Sequence, residues 1–187
     1  DVDWMHVNGI EYNEALDQIL LSSHRFCEVW IIDHSTTTAE AAGSTGGNAG
    51  HGGDLLYRWG NPTAYRRGTV ADQVLHEQHD ARWVTDGYPN GGNITVYNNG
   101  QGRPEGEYST VDMFTPPLLP DGNYSLLPGQ PFGPDSLFYR YTADPPLSFY
   151  SRNISGAQVQ PNGNILVCEG APGRLFEIGP NDSIVWH

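Results

Sequence analysis

The segment "SGAQVQPNGNILVCEGAPGRLFEIGPNDSIVWH", Ser155–His187, decides the fold class. Within it, "AQVQ" and "ILVCEG" are predicted to be two short strands, because apolar and β-branched residues are bounded by turn residues. Between them, "PNGN" supplies the glycine and asparagines of a tight hairpin. "GRLFEIG" alternates as a third strand, "PNDS" turns the chain, and "IVWH" begins a fourth strand. The segment therefore predicts one four-stranded antiparallel unit.

The same plan recurs twice upstream. The first copy runs "HVNGIEYNEALDQILLSSHRFCEVWIIDH" from His6 and resumes at "GGDLLYRWG". The second runs "HDARWVTDGYPNGGNITVYNNG" from His79 and continues in "YSTVDMF" and "SLFYRY". We predict one domain over residues 1–187 with repeats at 1–77, 78–153 and 154–187.

Repeated four-stranded units predict an all-β fold, specifically a β-propeller of four-stranded antiparallel blades, because each blade can shield the face of its neighbour. A β-sandwich of similar strand count is the main alternative. Propellers need about four blades to close, so three visible repeats predict part of a longer propeller. The Gly- and Pro-rich loops "STTTAEAAGSTGGNAGHGG" and "TPPLLPDGNYSLLPGQPFGPDS" are expected over one face of the disc or on its rim.

Charge and hydropathy exclude two classes of partner. The net charge of −13 argues against nucleic acid, whose binding needs clustered cations. No apolar run is long enough to cross a membrane. Four sequons favour a secreted, extracellular or periplasmic protein; they begin at Asn93, Asn123, Asn153 and Asn181. In such a compartment Cys27 and Cys168 form either a disulfide or two buried thiols.

Four motifs, in this order along nearly the whole chain, carry a family resemblance: "DWMHVNGIEYNEALDQILLSSHRFCEVWIIDHST", "GGDLLYRWGNP", "QHDARWV" and "ISGAQVQPNGNILVCEG". Together they resemble the bacterial-type, PAPS-independent aryl-sulfate sulfotransferases. The resemblance implies a six-bladed propeller with its site in the central funnel. It also implies transfer of a sulfuryl group from an aryl sulfate to a phenol through a sulfated histidine, with no cofactor.

The resemblance also implies roles for individual residues. By its "QHDAR" context, His79 matches the sulfated histidine. His6 and Asn8 match a His-x-Asn pair that binds the sulfuryl oxygens and serves in proton transfer, and strand alternation predicts that both face the funnel. Arg25, in "SSHRF", is expected to neutralise the sulfate. The same alternation turns Asp80 away from His79, as an orienting or structural residue.

Other readings of these residues are weaker. The spacing of His6, His79 and Asp80 lacks any established metal motif, so we predict no metal site. "GSTGGNAGHGG" lacks the GK[ST] ending of a phosphate loop. Arg58 and Trp59, in "YRWGNP", are weak candidates for stacking an aromatic substrate, with packing as the alternative.

Two functions from different classes follow. The first is a sulfotransferase that acts on small aryl sulfates and phenols. The second is a non-catalytic, glycosylated extracellular propeller that serves as a binding or assembly module, in which the chain forms a homo-oligomer or a larger assembly. An acidic surface with sequons and an incomplete blade count suit the second function.

Overall fold

The computed structural model describes residues 2–187 and consists mainly of three four-stranded antiparallel sheets. The first sheet comprises β1 (Val7–Asn13), β2 (Gln18–Ser23), β3 (Glu28–Asp33) and β4 (Tyr57–Trp59). The second comprises β5 (His79–Trp83), β6 (Ile94–Asn98), β7 (Thr110–Phe114) and β8 (Tyr139–Tyr141). The third comprises β9 (Ser155–Val159), β10 (Ile165–Glu169), β11 (Arg174–Ile178) and β12 (Ile184–Trp186). The all-β prediction is confirmed, whereas the sheets formed by residues 2–187 do not close into a ring, so the propeller stays a prediction.

Helical structure is confined to the connections. One short α-helix, α1 (Thr38–Ala41), begins at a capping box in which Thr37 and Glu40 bond each other's backbone N–H groups. Short 3₁₀ helices lie at Pro62–Tyr65, Val70–Asp72, Pro146–Ser148 and Pro180–Asp182.

Each sheet is a meander in which every strand pairs with the one before it in sequence. The hairpin predicted at "PNGN" forms between β9 and β10, where Val159 pairs with Ile165. The Gln160 N–H donates to the Asn164 carbonyl at 2.7 Å, and Gly163 adopts φ +87°. That positive φ is the reason a glycine is needed at this turn.

The first strands of the three sheets lie beside one another, β1 against β5 and β5 against β9. Two glycines permit this approach, one on each side of Asp80. A Cβ on Gly9 of β1 would lie 3.3 Å from the Asp80 Cα, and a Cβ on Gly156 of β9 would overlap the Asp80 carboxylate. The packing of the three sheets therefore brings the beginnings of β1, β5 and β9 together.

Two apolar cores fill the spaces between successive sheets. The first joins sheets one and two, with Trp59 of β4 stacked on Phe114 of β7 at 4.0 Å between ring centroids. The second joins sheets two and three, where Phe149 contacts Tyr97 and Phe176 edge-to-face. Each sheet thus buries its apolar side chains against the next sheet.

The second long loop contributes to the first core, which its composition did not predict. Its Tyr124 is buried, and the Tyr124 hydroxyl donates to Gln18 Oε1 at 2.8 Å. The Gln18 amide in turn donates to the Gly122 carbonyl at 2.7 Å. The loop is therefore bonded to β2 of the first sheet.

The cysteines are not paired. Cys27 is a partly buried free thiol in the turn between β2 and β3, and Cys168 is an exposed free thiol on β10. Because they belong to the first and third sheets, the disulfide considered from the sequence does not form, and only Cys27 approaches the buried-thiol alternative.

The Trp59–Phe114 stack predicts a stability effect. We expect Phe114→Ala to lower the free energy of unfolding by about 3 to 5 kcal/mol, because it removes a fully buried ring and leaves a cavity. Phe138→Ala is the matched control; its ring is 56% exposed, and its loss should cost under about 0.5 kcal/mol. Urea unfolding of the three proteins measures both effects, and equal losses would contradict this account of the core.

Candidate functional site

Three histidine rings form a row where the first strands begin. His6 immediately precedes β1, His24 immediately follows β2, and His79 opens β5. The ring centroids of His6 and His24 are 4.8 Å apart, and those of His24 and His79 are 5.2 Å apart. We call these three residues the histidine row. The structure thus brings two of the predicted catalytic residues to either side of a third histidine.

The tautomer of His79 is set by its hydrogen bonds. Its Nδ1 lies 2.9 Å from Asn99 Oδ1, and the Asn99 amide nitrogen donates to the Ser151 carbonyl at 2.7 Å. Because the second bond fixes the amide, an acceptor faces Nδ1, which must carry the proton. The Ile154 N–H donates to His79 Nε2 at 3.2 Å, which also requires an unprotonated Nε2. The ring therefore holds its free electron pair on Nε2.

Burial keeps this ring neutral. His79 is 7% exposed, and burial lowers its pKa, although the hydrogen bond with Asn99 acts in the opposite direction. A neutral imidazole with its lone pair on Nε2 is a nucleophile near pH 7.

The backbone donor on Nε2 comes from a strained position. Ile154 immediately precedes β9, its side chain is 57% exposed, and its φ is +40°. A β-branched residue in the left-handed region is an outlier that the surrounding structure must hold in place. The Ile154 N–H therefore covers the lone pair of Nε2.

His24 is the site residue that sequence reasoning passed over in favour of its neighbour. The ring is 6% exposed and its Nδ1 is buried without a hydrogen-bond partner, while its Nε2 lies 3.5 Å from Glu77 Oε2. Burial, then the neighbouring charges of His79 and His6, lower its pKa to about 4. His24 is therefore neutral at pH 7. The signal was present in "SSHRF", where the histidine directly follows β2.

Arg25 lies on the solvent side of the row. Its side chain is 47% exposed, with Nη2 3.6 Å from Asp3 Oδ2 and Nη1 3.8 Å from Glu77 Oε1. Two carboxylates thus accompany its charge. The predicted sulfate-neutralising arginine is near the row, whereas His24 and not Arg25 contacts His79.

His6 and Asn8 do not act as an alternating pair on a regular strand. His6 has φ +46° and its Nδ1 lies 2.7 Å from Asp3 Oδ2, and a bulge interrupts β1 between Val7 and Gly9. The Asn8 amide nitrogen donates to the Gln78 carbonyl at 2.8 Å, and its Oδ1 is buried without a partner. The buried Oδ1 is an acceptor and cannot stabilise the negative oxygens of a sulfuryl group, so only the second N–H of this amide could donate to them.

Gln78 ties the approach to His79 onto the first sheet, which motif reading did not anticipate. Its side-chain nitrogen donates to the carbonyls of Ser23 at 3.1 Å and Glu28 at 2.8 Å. With the Asn8 bond to its carbonyl, Gln78 fixes the position at which β5 begins.

Asp80 lies away from the row, as alternation predicts. His79 and Ala81 are buried, whereas Asp80 pairs with Arg82 at 2.8 Å between Oδ1 and Nε and is partly exposed. A bulge lies within this stretch of β5. His79 pairs with Tyr97 and Arg82 pairs with Thr95, so β5 has one residue more than β6 between the two pairs. Asp80 has φ +55° and serves the packing between Gly9 and Gly156.

The candidates in "YRWGNP" are engaged elsewhere. The Arg58 Nε donates to Glu28 Oε1 at 3.0 Å, and the guanidinium lies 4.3 Å from the centroid of the Tyr65 ring. Trp59 is 4% exposed and packs on Phe114. Trp59 therefore packs, as the alternative to stacking a substrate predicted, whereas Arg58 forms an ion pair with Glu28 that the sequence did not predict.

One predicted sequon is incompatible with the fold. Asn93 is 7% exposed; its Oδ1 accepts from the Thr115 hydroxyl at 2.6 Å, and its nitrogen donates to the Asn90 carbonyl at 3.1 Å. A glycan on that nitrogen would prevent this burial, so Asn93 is not a glycosylation site of the folded chain. Asn153 and Asn181 are exposed and Asn123 is partly exposed.

Within residues 2–187, no helix is long and apolar enough to span a membrane. Nor does any group of three or more His, Cys, Asp or Glu side chains there have the geometry to hold a metal ion.

The low pKa of His24 predicts acid sensitivity. In the unfolded chain a histidine ionises near pH 6.5, whereas folded His24 ionises near 4, so between these values only the unfolded state binds the proton. We expect the free energy of unfolding to fall as pH drops through this window, by at most about 1.4 kcal/mol per pH unit for one such group.

Urea unfolding at several pH values between 7 and 4 measures this fall. His24→Gln should flatten the profile, because it removes the titrating ring. His51→Gln, at an exposed loop histidine, should leave the profile unchanged. An identical slope in His24→Gln and the unaltered protein would refute a neutral buried His24.

Comparison with known proteins adds the family to this geometry. No curated protein matches the chain. The sequence profile of the arylsulfotransferase family (ASST) matches residues 1–127, a segment that includes all of the first sheet, the histidine row, and Asn8, Gln78 and Asn99. That segment is more than half of the chain, so the protein belongs to the arylsulfotransferase family.

Proposed function

We propose that this protein transfers a sulfuryl group from an aryl sulfate to a phenol, with His79 Nε2 as the nucleophile. The observation that carries the proposal is the hydrogen bond between His79 Nδ1 and Asn99 Oδ1, which leaves the lone pair on Nε2. The family match and the position of His79 at the end of the histidine row support the same chemistry.

The reaction proceeds in two displacements. In the first, the Nε2 lone pair forms an N–S bond as the bond between sulfur and the aryl oxygen breaks, and a phenolate leaves. In the second, the oxygen of an acceptor phenol attacks sulfur, the N–S bond breaks, and the phenolic proton passes to a base. The His79 ring is cationic between these steps, and its Nδ1–H bond to Asn99 stabilises that form.

His24 stabilises the transition state and His6 exchanges the proton. A loose sulfuryl transition state needs donors for its equatorial oxygens, and neutral His24 contacts the His79 ring. His6 is paired with Asp3 and exposed, an arrangement that lets a histidine exchange protons with a phenolate or phenol. Asn8 positions the segment before β5 through Gln78. Arg25 supplies positive charge from the solvent side.

We further propose that the three sheets are blades of a six-bladed propeller. The neighbouring first strands β1, β5 and β9 support this, because the first strands of successive blades line the axis. The histidine row would then face the central funnel. Two exposed sequons, at Asn153 and Asn181, support a secreted or periplasmic location.

One observation favours the second function, a non-catalytic extracellular module. The Asn153 side chain is exposed and directly precedes Ile154, whose N–H bonds His79 Nε2. A glycan on Asn153 would therefore stand beside the proposed nucleophile. Peptide mass spectrometry of the natural protein separates the two functions: full occupancy of Asn153 favours the module, and an unmodified Asn153 favours the enzyme.

His79 gives the direct test of transfer. Mixed with 4-nitrophenyl sulfate and no acceptor, the protein should release one equivalent of nitrophenolate and gain one sulfuryl group on the peptide that contains His79. His79→Gln should abolish both signals, whereas His51→Gln, at an exposed histidine outside the row, should keep them. Release by His79→Gln at the unaltered rate, or an adduct on another peptide, would overturn the assignment.

Substitutions of His24 and Arg25, which are adjacent in "SSHRF", are expected to affect the transfer rate differently. We expect His24→Ala to lower kcat at least a hundredfold, because it removes the ring in contact with His79. Arg25→Gln should lower kcat/KM by less than tenfold, since Arg25 is exposed and accompanied by Asp3 and Glu77. Steady-state rates with 4-nitrophenyl sulfate and phenol measure both, and the reverse order would return the sulfate-binding role to Arg25.

A further inference from the structure

A polar pocket lies apart from the histidine row, between the first and second sheets. It has a volume of about 390 Å³, and none of the three row histidines borders it. The residues that matter for its chemistry are His76, Arg103, Tyr108, Leu137 and Arg140. The family-related motifs place no function on these residues.

Arg103 is the unusual group in this pocket. The loop between β6 and β7 turns its side chain inward, so that it is only 6% exposed. Its Nη2 donates to the Thr110 hydroxyl at 3.3 Å, and its Nε is buried without a hydrogen-bond partner. Arginine stays charged in proteins, so this guanidinium carries a buried charge with an unused donor.

The nearby carboxylate is already occupied. Burial lowers the pKa of Arg103 and the negative charge of Asp112 acts in the opposite direction, but the Asp112 oxygens are bonded to other groups. They accept from Arg140 at 2.7 and 2.8 Å, and one of them also accepts from Asn98 at 2.9 Å. The Asp112–Arg140 pair is therefore close to neutral by itself. Arg103 keeps a positive charge that no direct ion pair balances among the described residues.

The surroundings of Arg103 suit an anion that also has an apolar part. The guanidinium lies 4.5 Å from the centroid of the Tyr108 ring, and Leu137 supplies apolar wall. Burial and the charge of Arg103 lower the pKa of His76, which leaves a neutral ring able to donate one hydrogen bond. Glu105 and Asp135 also border the pocket, but both are exposed, so water screens their charges.

We propose that this pocket binds a small organic anion, with its oxyanion group on the Arg103 guanidinium and its planar apolar part against Tyr108 and Leu137. An oxyanion on the guanidinium would balance a charge that no direct ion pair balances among the described residues, and the apolar walls would exclude water from the bond. The site is independent of His79 and of the transfer reaction proposed above.

Benzenesulfonate is the probe, because its carbon–sulfur bond cannot enter sulfuryl transfer. Methyl phenyl sulfone is its uncharged counterpart, and inorganic sulfate lacks the ring. In titrations of the ¹⁵N-labelled protein, benzenesulfonate should shift the Arg103 Nε–H signal and the amides of residues 74–76, 103 and 105–108. The sulfone should leave these signals in place, and sulfate should shift them only at higher concentration.

Calorimetry on two variants is the second test of this pocket. By calorimetry, Arg103→Gln should weaken benzenesulfonate binding at least tenfold, and Arg67→Gln, which removes an exposed arginine outside the pocket, should not change it. Circular dichroism checks that Arg103→Gln is folded. The Nε–H titration uses the unaltered protein and therefore does not depend on the folding of this variant. Shifts confined to the surroundings of His24 and His79, or equal affinity in Arg103→Gln, would overturn the proposal.

Discussion

The rest of the structure depends on the close approach of three first strands around Asp80. The Asp80 backbone passes against Gly9 of β1, and its carboxylate occupies the space that a side chain at Gly156 of β9 would need. Arg82 holds that carboxylate at 2.8 Å, so the acid is not buried unpaired. This contact aligns the beginnings of β1, β5 and β9. Without it, neither the row from His6 to His79 nor the bond from Ile154 to His79 would exist.

The all-β class and the four-stranded units could be predicted from sequence because their signals are local. Alternating apolar residues and turn residues such as those around Gly163 act within a few positions, and they placed the strands of all three sheets. The site could be read only in part. His6 and His79 were predicted at strand starts, whereas the bulges in β1 and β5 and the positive φ of Ile154, a β-branched residue, have no local signature.

The tautomer of His79 could not be predicted from the sequence. Its tautomer depends on Asn99 and, through the Asn99 amide, on the Ser151 carbonyl, which are far from it along the chain. The same holds for His24. "SSHRF" presents a histidine and an arginine as equals, and charge alone favours the arginine as a partner for sulfate. Only the packing of β2 against β5 turns the histidine inward and leaves the arginine in solvent.

The same strand packing places a backbone donor on Nε2 of His79. The Ile154 N–H occupies the lone pair of His79 Nε2, while Ile154 holds a backbone conformation that costs of order 1 to 3 kcal/mol for a residue of its type. Displacing this N–H would lose one hydrogen bond, whose net contribution of about 0.5 to 1.5 kcal/mol is similar in size to that strain. If His79 is the nucleophile, as we propose, this N–H covers its attacking nitrogen until a donor displaces it. In this geometry, access to Nε2 is governed by the segment that precedes β9.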